Sequence, residues 1–84
     1  MPQVLMYCTE ICPFCERAER LLKRKGAEIV KIRTDEQPER FDEMVERTGR
    51  DTVPQIFIGD RHVGGYDDLV ELDMDDELEP LLAG

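Results

Sequence analysis

Val4-Leu5-Met6-Tyr7-Cys8-Thr9-Glu10-Ile11-Cys12-Pro13-Phe14-Cys15 decides how the 84-residue chain folds. It opens on a continuous apolar run, the pattern of a short strand covered on both faces. It closes on a Cys-x-x-Cys at the mouth of a segment with helical spacing. From there Phe14, Ala18, Leu21 and Leu22 fall at i, i+4, i+7 and i+8, one face of an α-helix. Pro13 suits the first helical position, where no donated hydrogen bond is needed and φ is already helical. A helix starting there puts the Cys12 sulfur at its N-terminus, where unpaired N–H groups and the positive dipole end favour an anion. A thiolate is that anion, and the thiolate is the nucleophile. Cys15, one turn later, is placed to attack a mixed disulfide on Cys12. Half a zinc site and a structural disulfide are the alternatives. Zinc wants four ligands, and outside the motif only Cys8 and His62 remain. Cys8, at the strand's end, reads as a small buried side chain rather than a catalytic one.

Outward from this stretch the chain alternates. Lys23, Arg24 and Lys25 crowd the last turn of the first helix, where positive charge suits the dipole, and Gly26 supplies its stop. Ile29, Val30 and Ile32 mark a second strand, so strand, helix and strand make a βαβ unit with parallel strands. Thr34-Asp35-Glu36-Gln37-Pro38 leads into a helix whose buried face is Phe41, Met44 and Val45 and whose end is Gly49. Thr52-Val53-Pro54 precedes the β-prone run Gln55-Ile56-Phe57-Ile58. Gly59-Asp60 separates that run from Arg61-His62-Val63, a tight hairpin with antiparallel strands. His62 reads as a surface residue on the hairpin edge. Gly64-Gly65 follows, where backbone can approach a ligand closely. From Tyr66 onward the chain is helical, anchored by Leu69, Val70, Leu72, Leu78, Leu81 and Leu82, with a short extra terminal helix as one reading of its end. The eight acidic residues between Asp67 and Glu79 read mainly as a solvated face. The order βαβαββα predicts an α/β fold, a four-stranded mixed sheet with helices on both faces.

Composition bounds the function. The length fits one domain over residues 1–84. Eleven basic against twenty acidic residues give a net charge of −9, which argues against nucleic acid or an anionic membrane as partner. No apolar stretch reaches spanning length, and no signal-peptide pattern opens the chain. Three cysteines fit a reducing compartment, with a catalytic pair and one spare thiol, better than a secreted disulfide scaffold. The cytoplasm is the expected location.

Three motifs carry a resemblance: Cys12-Pro13-Phe14-Cys15, Thr52-Val53-Pro54-Gln55-Ile56-Phe57-Ile58 and Gly64-Gly65-Tyr66-Asp67-Asp68-Leu69. In this order and spacing the chain resembles glutaredoxins of the short bacterial dithiol type over nearly its whole length. The resemblance implies a thioredoxin-like fold and a monomeric, glutathione-dependent thiol–disulfide oxidoreductase. Glutathione is then the co-substrate, disulfide-bonded or glutathionylated proteins are the clients, and no metal is needed. It implies Cys12 as nucleophile and Cys15 as resolving thiol, with Pro13 and Phe14 beside them. It implies a cis bond at Val53-Pro54, with Thr52-Val53-Pro54 turning the Val53 N–H and C=O toward the tripeptide backbone, as an added strand would. A bland turn is the competing reading of these three residues.

Gly65, Tyr66, Asp67 and Asp68 resemble the family's clamp for the γ-glutamyl end. Its ammonium would pair with the Asp67 carboxylate, and its carboxylate with the Asp67 and Asp68 N–H groups. Asp67 as a simple N-cap is the plainer role. Two positions depart from the family pattern. Phe14 stands for tyrosine, and Thr9 stands for a lysine that helps hold the glycyl carboxylate and favours the thiolate. Glu10 and Glu16 lie near that gap. Arg40 is the substitute cation suggested by rough alignment, against a solvated side chain. Two rival functions remain. One is a redoxin reduced by thioredoxin reductase and serving ribonucleotide reductase. The other is a carrier dimerised around a [2Fe–2S] cluster, against which Pro13 argues.

Overall fold

The computed structural model describes residues 2–84. Its elements run β1 (Val4–Cys8), α1 (Pro13–Arg24), β2 (Ile29–Arg33), α2 (Pro38–Thr48), β3 (Gln55–Ile58), β4 (Arg61–Gly64), α3 (Tyr66–Met74) and α4 (Leu78–Ala83). The sheet order is β2-β1-β3-β4. Strands β1 and β2 are parallel, while β3 is antiparallel to both β1 and β4. This is the mixed four-stranded sheet of a thioredoxin-like fold, with α4 as an added short helix.

The apolar run of β1 is buried because both faces of the sheet are covered. Val4, Met6 and Cys8 point one way and pack with Ala18, Leu21 and Leu22 of α1, Leu69 and Leu72 of α3, and Leu78 and Leu82 of α4. Tyr7 points the other way into a smaller cluster with Ile32, Phe57 and Met44 of α2. Tyr7 is fully buried, so its hydroxyl needs partners. It donates to Glu43 and accepts from Arg47 Nη1 at 2.8 Å. The Arg47 guanidinium also lies 4.0 Å from the Phe57 ring centroid.

The α2 face differs from the periodic expectation at one residue. Met44 is fully buried, but Phe41 remains 37% exposed. A single helix covers this face, and the four-residue cluster beneath it is satisfied by Met44 one turn further on. Gly49 closes α2 in the left-handed region, and Gly26 follows α1 at φ +84°. The Gly59-Asp60 turn joins β3 to β4, and the register shifts between Ile56 and Phe57. Strand direction then brings three loops together. The C-terminal end of β1, the N-terminal end of β3 and the C-terminal end of β4 all meet at one edge of the sheet.

Candidate active site

Cys12 is the N-cap of α1 in extended conformation, and Pro13 is its first helical residue. The Cys12 sulfur accepts the Cys15 N–H at 3.1 Å. It therefore occupies the position an N-cap oxygen usually fills, where the helix end stabilises negative charge. Cys12 and Cys15 are joined by a disulfide, with Cα atoms 5.1 Å apart. Both cysteines are buried, whereas Pro13 and Phe14 are exposed. Cys8 is the free thiol, and burial pushes its pKa up, so it stays protonated.

The loop before the motif is tied to the end of β2. Thr34 donates both its N–H (2.9 Å) and its hydroxyl (3.2 Å) to the Cys8 carbonyl. The Glu10 N–H donates to Asp35 at 3.2 Å, and Asp35 is held by a two-pronged bond from Arg33 with both distances 2.8 Å. That arginine pulls the Asp35 carboxyl well below the usual carboxylate range. It also lies 3.7 Å from the Glu10 carboxylate, which partners the acidic charge nearest the motif on the N-terminal side.

Opposite the motif lies a groove of about 220 Å³. One wall is Thr52, Val53 and Pro54, with the Val53–Pro54 bond cis. The other wall is Gly65, Tyr66, Asp67 and Asp68 at the start of α3, and Phe14 reaches in from α1. The Phe14 and Tyr66 rings are tilted against each other at 6.1 Å, so the cysteine motif and α3 are in contact. Of the residues expected from sequence, Phe14 and the seven of these two walls share this concavity. Cys12, Pro13 and Cys15 do not line it and stand at the head of α1.

The two aspartates do different work. Asp68 is third in α3, and its carboxylate accepts the Gly65 N–H at 2.9 Å and Arg50 Nη1 at 2.8 Å. The arginine first, then the backbone N–H, holds its carboxyl below the ordinary value. Capping therefore falls to Gly65 with Asp68, and the plainer N-cap role considered for Asp67 does not hold. Asp67 is exposed and makes no ion pair among the described residues, so its carboxylate is free for a ligand cation. The first N–H groups of a helix such as α3 have no intrahelical acceptor, and the residues that carry them, Tyr66, Asp67 and Asp68, line the groove.

Three residues of the site escape a reading of the sequence. Arg50, rather than Arg40, is the cation on the groove wall; Arg40 pairs with Glu43 at 3.0 Å. Gln55 is fully buried, and its Nε2 donates to the Thr52 carbonyl (3.0 Å) and hydroxyl (3.3 Å). Its Oε1 accepts from His62 Nε2 at 2.8 Å. His62 is thus not a bystander on the surface. It is half-buried, its ring lies 5.0 Å from that of Phe57, and burial with the nearby Arg50 charge pushes its pKa down. The signal that could have found this pair is a glutamine inside an apolar β-run, since buried amides need partners.

The family model for Glutaredoxin matches residues 4–63. The chain belongs to the glutaredoxin family. It is 47% identical to a Glutaredoxin of Pseudomonas aeruginosa over 99% of both chains. It is 46% identical to Glutaredoxin 3 of Escherichia coli, covering 98% of this chain and 99% of that one. Among solved structures it is similar to the buckwheat glutaredoxin–glutathione complex, with a TM-score of 0.91 at 29% identity. That likeness covers 98% of this chain and 77% of the buckwheat one. This glutaredoxin carries its family's dithiol as the Cys12–Cys15 pair. Among the described residues it has no cluster of three or more metal-ligating side chains, and no helix long and apolar enough to cross a membrane.

Proposed function

We propose that this glutaredoxin reduces protein disulfides and glutathione mixed disulfides, with glutathione as co-substrate, as a single cytoplasmic domain working as a monomer. The observation that carries the proposal is the groove walled by Thr52, Val53, Pro54 and the start of α3, into which Phe14 of the cysteine motif reaches. The Val53 backbone would pair with the tripeptide, the N–H groups of Asp67 and Asp68 would take the γ-glutamyl carboxylate, and Asp67 its ammonium. The buckwheat relative, which forms a complex with glutathione, supports this reading.

The Cys12 thiolate attacks the glutathione sulfur of a mixed disulfide. A Cys12–glutathione disulfide forms and the client leaves as a thiolate. A second glutathione thiolate attacks that bond, giving glutathione disulfide and restoring the Cys12 thiolate. With a protein disulfide, Cys12 first forms a mixed disulfide with the client. Cys15 then attacks Cys12, releasing the reduced client and leaving the Cys12–Cys15 bond for two glutathiones to reduce. The test is reduction of a glutathione mixed disulfide coupled to glutathione reductase. Cys12→Ser abolishes turnover. Cys15→Ser keeps deglutathionylation and loses reduction of protein disulfides. Turnover persisting in Cys12→Ser would remove the assignment of the nucleophile.

A further inference from the structure

A second concavity of about 560 Å³ adjoins the groove and is lined by Arg17, Arg20, Lys23, Arg24 and Tyr66. Tyr66 belongs to both, so the two surfaces are continuous. Four of the eleven basic residues of a chain with net charge −9 are gathered here, on a single helix. Arg17, Arg20 and Arg24 follow at i, i+3 and i+7, along one face. Their partners are few. Lys23 is bridged to Glu19 at 2.9 Å, and Arg17 lies 5.3 Å from the Phe14 ring centroid. Glu19 is also drawn to Lys31 at 3.3 Å, and Glu16 is the remaining acid of the helix. Arg17, Arg20 and Arg24 form no ion pair among the described residues. Three other arginines are paired, Arg33 with Asp35, Arg40 with Glu43 and Arg50 with Asp68, while Arg47 bonds the Tyr7 hydroxyl and Arg61 forms no ion pair among the described residues. An unpaired like-charge pair at i, i+4, such as Arg20 and Arg24, costs helix stability.

We propose that this face of α1 docks an acidic stretch of a client protein, next to the client's reactive cysteine. The client's sulfur must reach Cys12 at the head of the same helix, so the chain flanking that sulfur lies within reach of these guanidinium groups. Guanidinium pairs with carboxylate in two-pronged geometry. The strongly acidic remainder of the protein repels an extended polyanion but leaves a short acidic segment a complementary seat. The effect is one of encounter: rim charges of this kind set association rate and salt dependence. The inference rests on the proposed oxidoreductase function.

Two glutathionylated peptides of equal length, one with glutamates flanking the cysteine and one with glutamines, test it. At low ionic strength the glutamate peptide is expected to show kcat/KM about tenfold higher, with the advantage fading as salt is added. Arg20→Glu/Arg24→Glu removes the advantage and leaves the glutamine peptide unchanged. Arg20→Gln/Arg24→Gln falls between. Equal values for the two peptides, or an advantage that survives charge reversal, would overturn the docking surface while leaving the oxidoreductase reading intact. No turnover of either peptide would sink that reading instead. A glutamate peptide with serine for cysteine cannot react, and it reads docking alone. It should shift amide resonances of residues 17–24 in the wild type. Shifts absent there, or produced by phosphatidylserine vesicles and not by the peptide, also refute the proposal.

Discussion

Asp67 and Asp68 stand side by side with opposite commitments. Asp68 is occupied by Arg50 and the Gly65 N–H, while Asp67 is exposed and unpaired. Asp67→Ala should therefore raise the KM for glutathione about tenfold or more with little change in kcat, the worth of one charged hydrogen bond. An unaltered KM in steady-state kinetics would remove Asp67 from the clamp. His62 yields a pH prediction. Arg50, Asp68 and Arg47 are the charges around it, and its pKa lies below the ordinary 6.5. The unfolded chain then binds a proton that the native protein refuses. Stability should fall as pH drops through 6.5 toward the depressed native value, and be level above 6.5. Denaturation curves of His62→Gln across this range should lose the slope; an identical slope in the variant would assign it elsewhere. Asp67 and Asp68 were legible through the resemblance of Gly65-Tyr66-Asp67-Asp68 to the family's clamp, a contiguous motif. Arg50 and His62 were not. Their meaning comes from Asp68, eighteen residues away, and from a buried amide, and no periodicity encodes a polar contact.

At the scale of elements, the turn into α3 decides the groove's shape. Gly64 has φ +113°, and a Cβ there would fall 2.8 Å from Asp68 Cγ and 3.0 Å from Arg50 Nη1. Those atoms are pinned by their own pairing and cannot withdraw cheaply. Gly64→Ala should cost about 1–3 kcal/mol in chemical denaturation and weaken glutathione binding together. A loss under about 0.5 kcal/mol would show that the ion pair yields freely. The elements themselves were legible because each buries a periodic face. The run Val4–Tyr7 announced two covered faces, and i, i+4, i+7 spacing announced α1. Phe41 shows the limit: helical spacing names the face of a helix but not how far the sheet beneath it extends.

For the whole molecule, α4 matters more than its six residues suggest. Leu78 is fully buried and Leu82 nearly so, both in the larger core beside α1 and α3. Lys25 anchors the same corner, 3.0 Å from Asp73 and 2.9 Å from Glu79. Leu78→Ala should lower unfolding free energy by about 2–5 kcal/mol, a large share of a small protein's usual margin. A drop below about 1 kcal/mol would mean the corner collapses to fill the void. The sheet's strand directions send the three site loops to one edge and the Gly59 turn to the other. At that far edge Pro2 lies against both Gly59 and Gly84. Pro2 and Gly84 are thus neighbours on the side remote from the dithiol. A probe or surface tether attached at either residue leaves the reacting sulfur unobstructed.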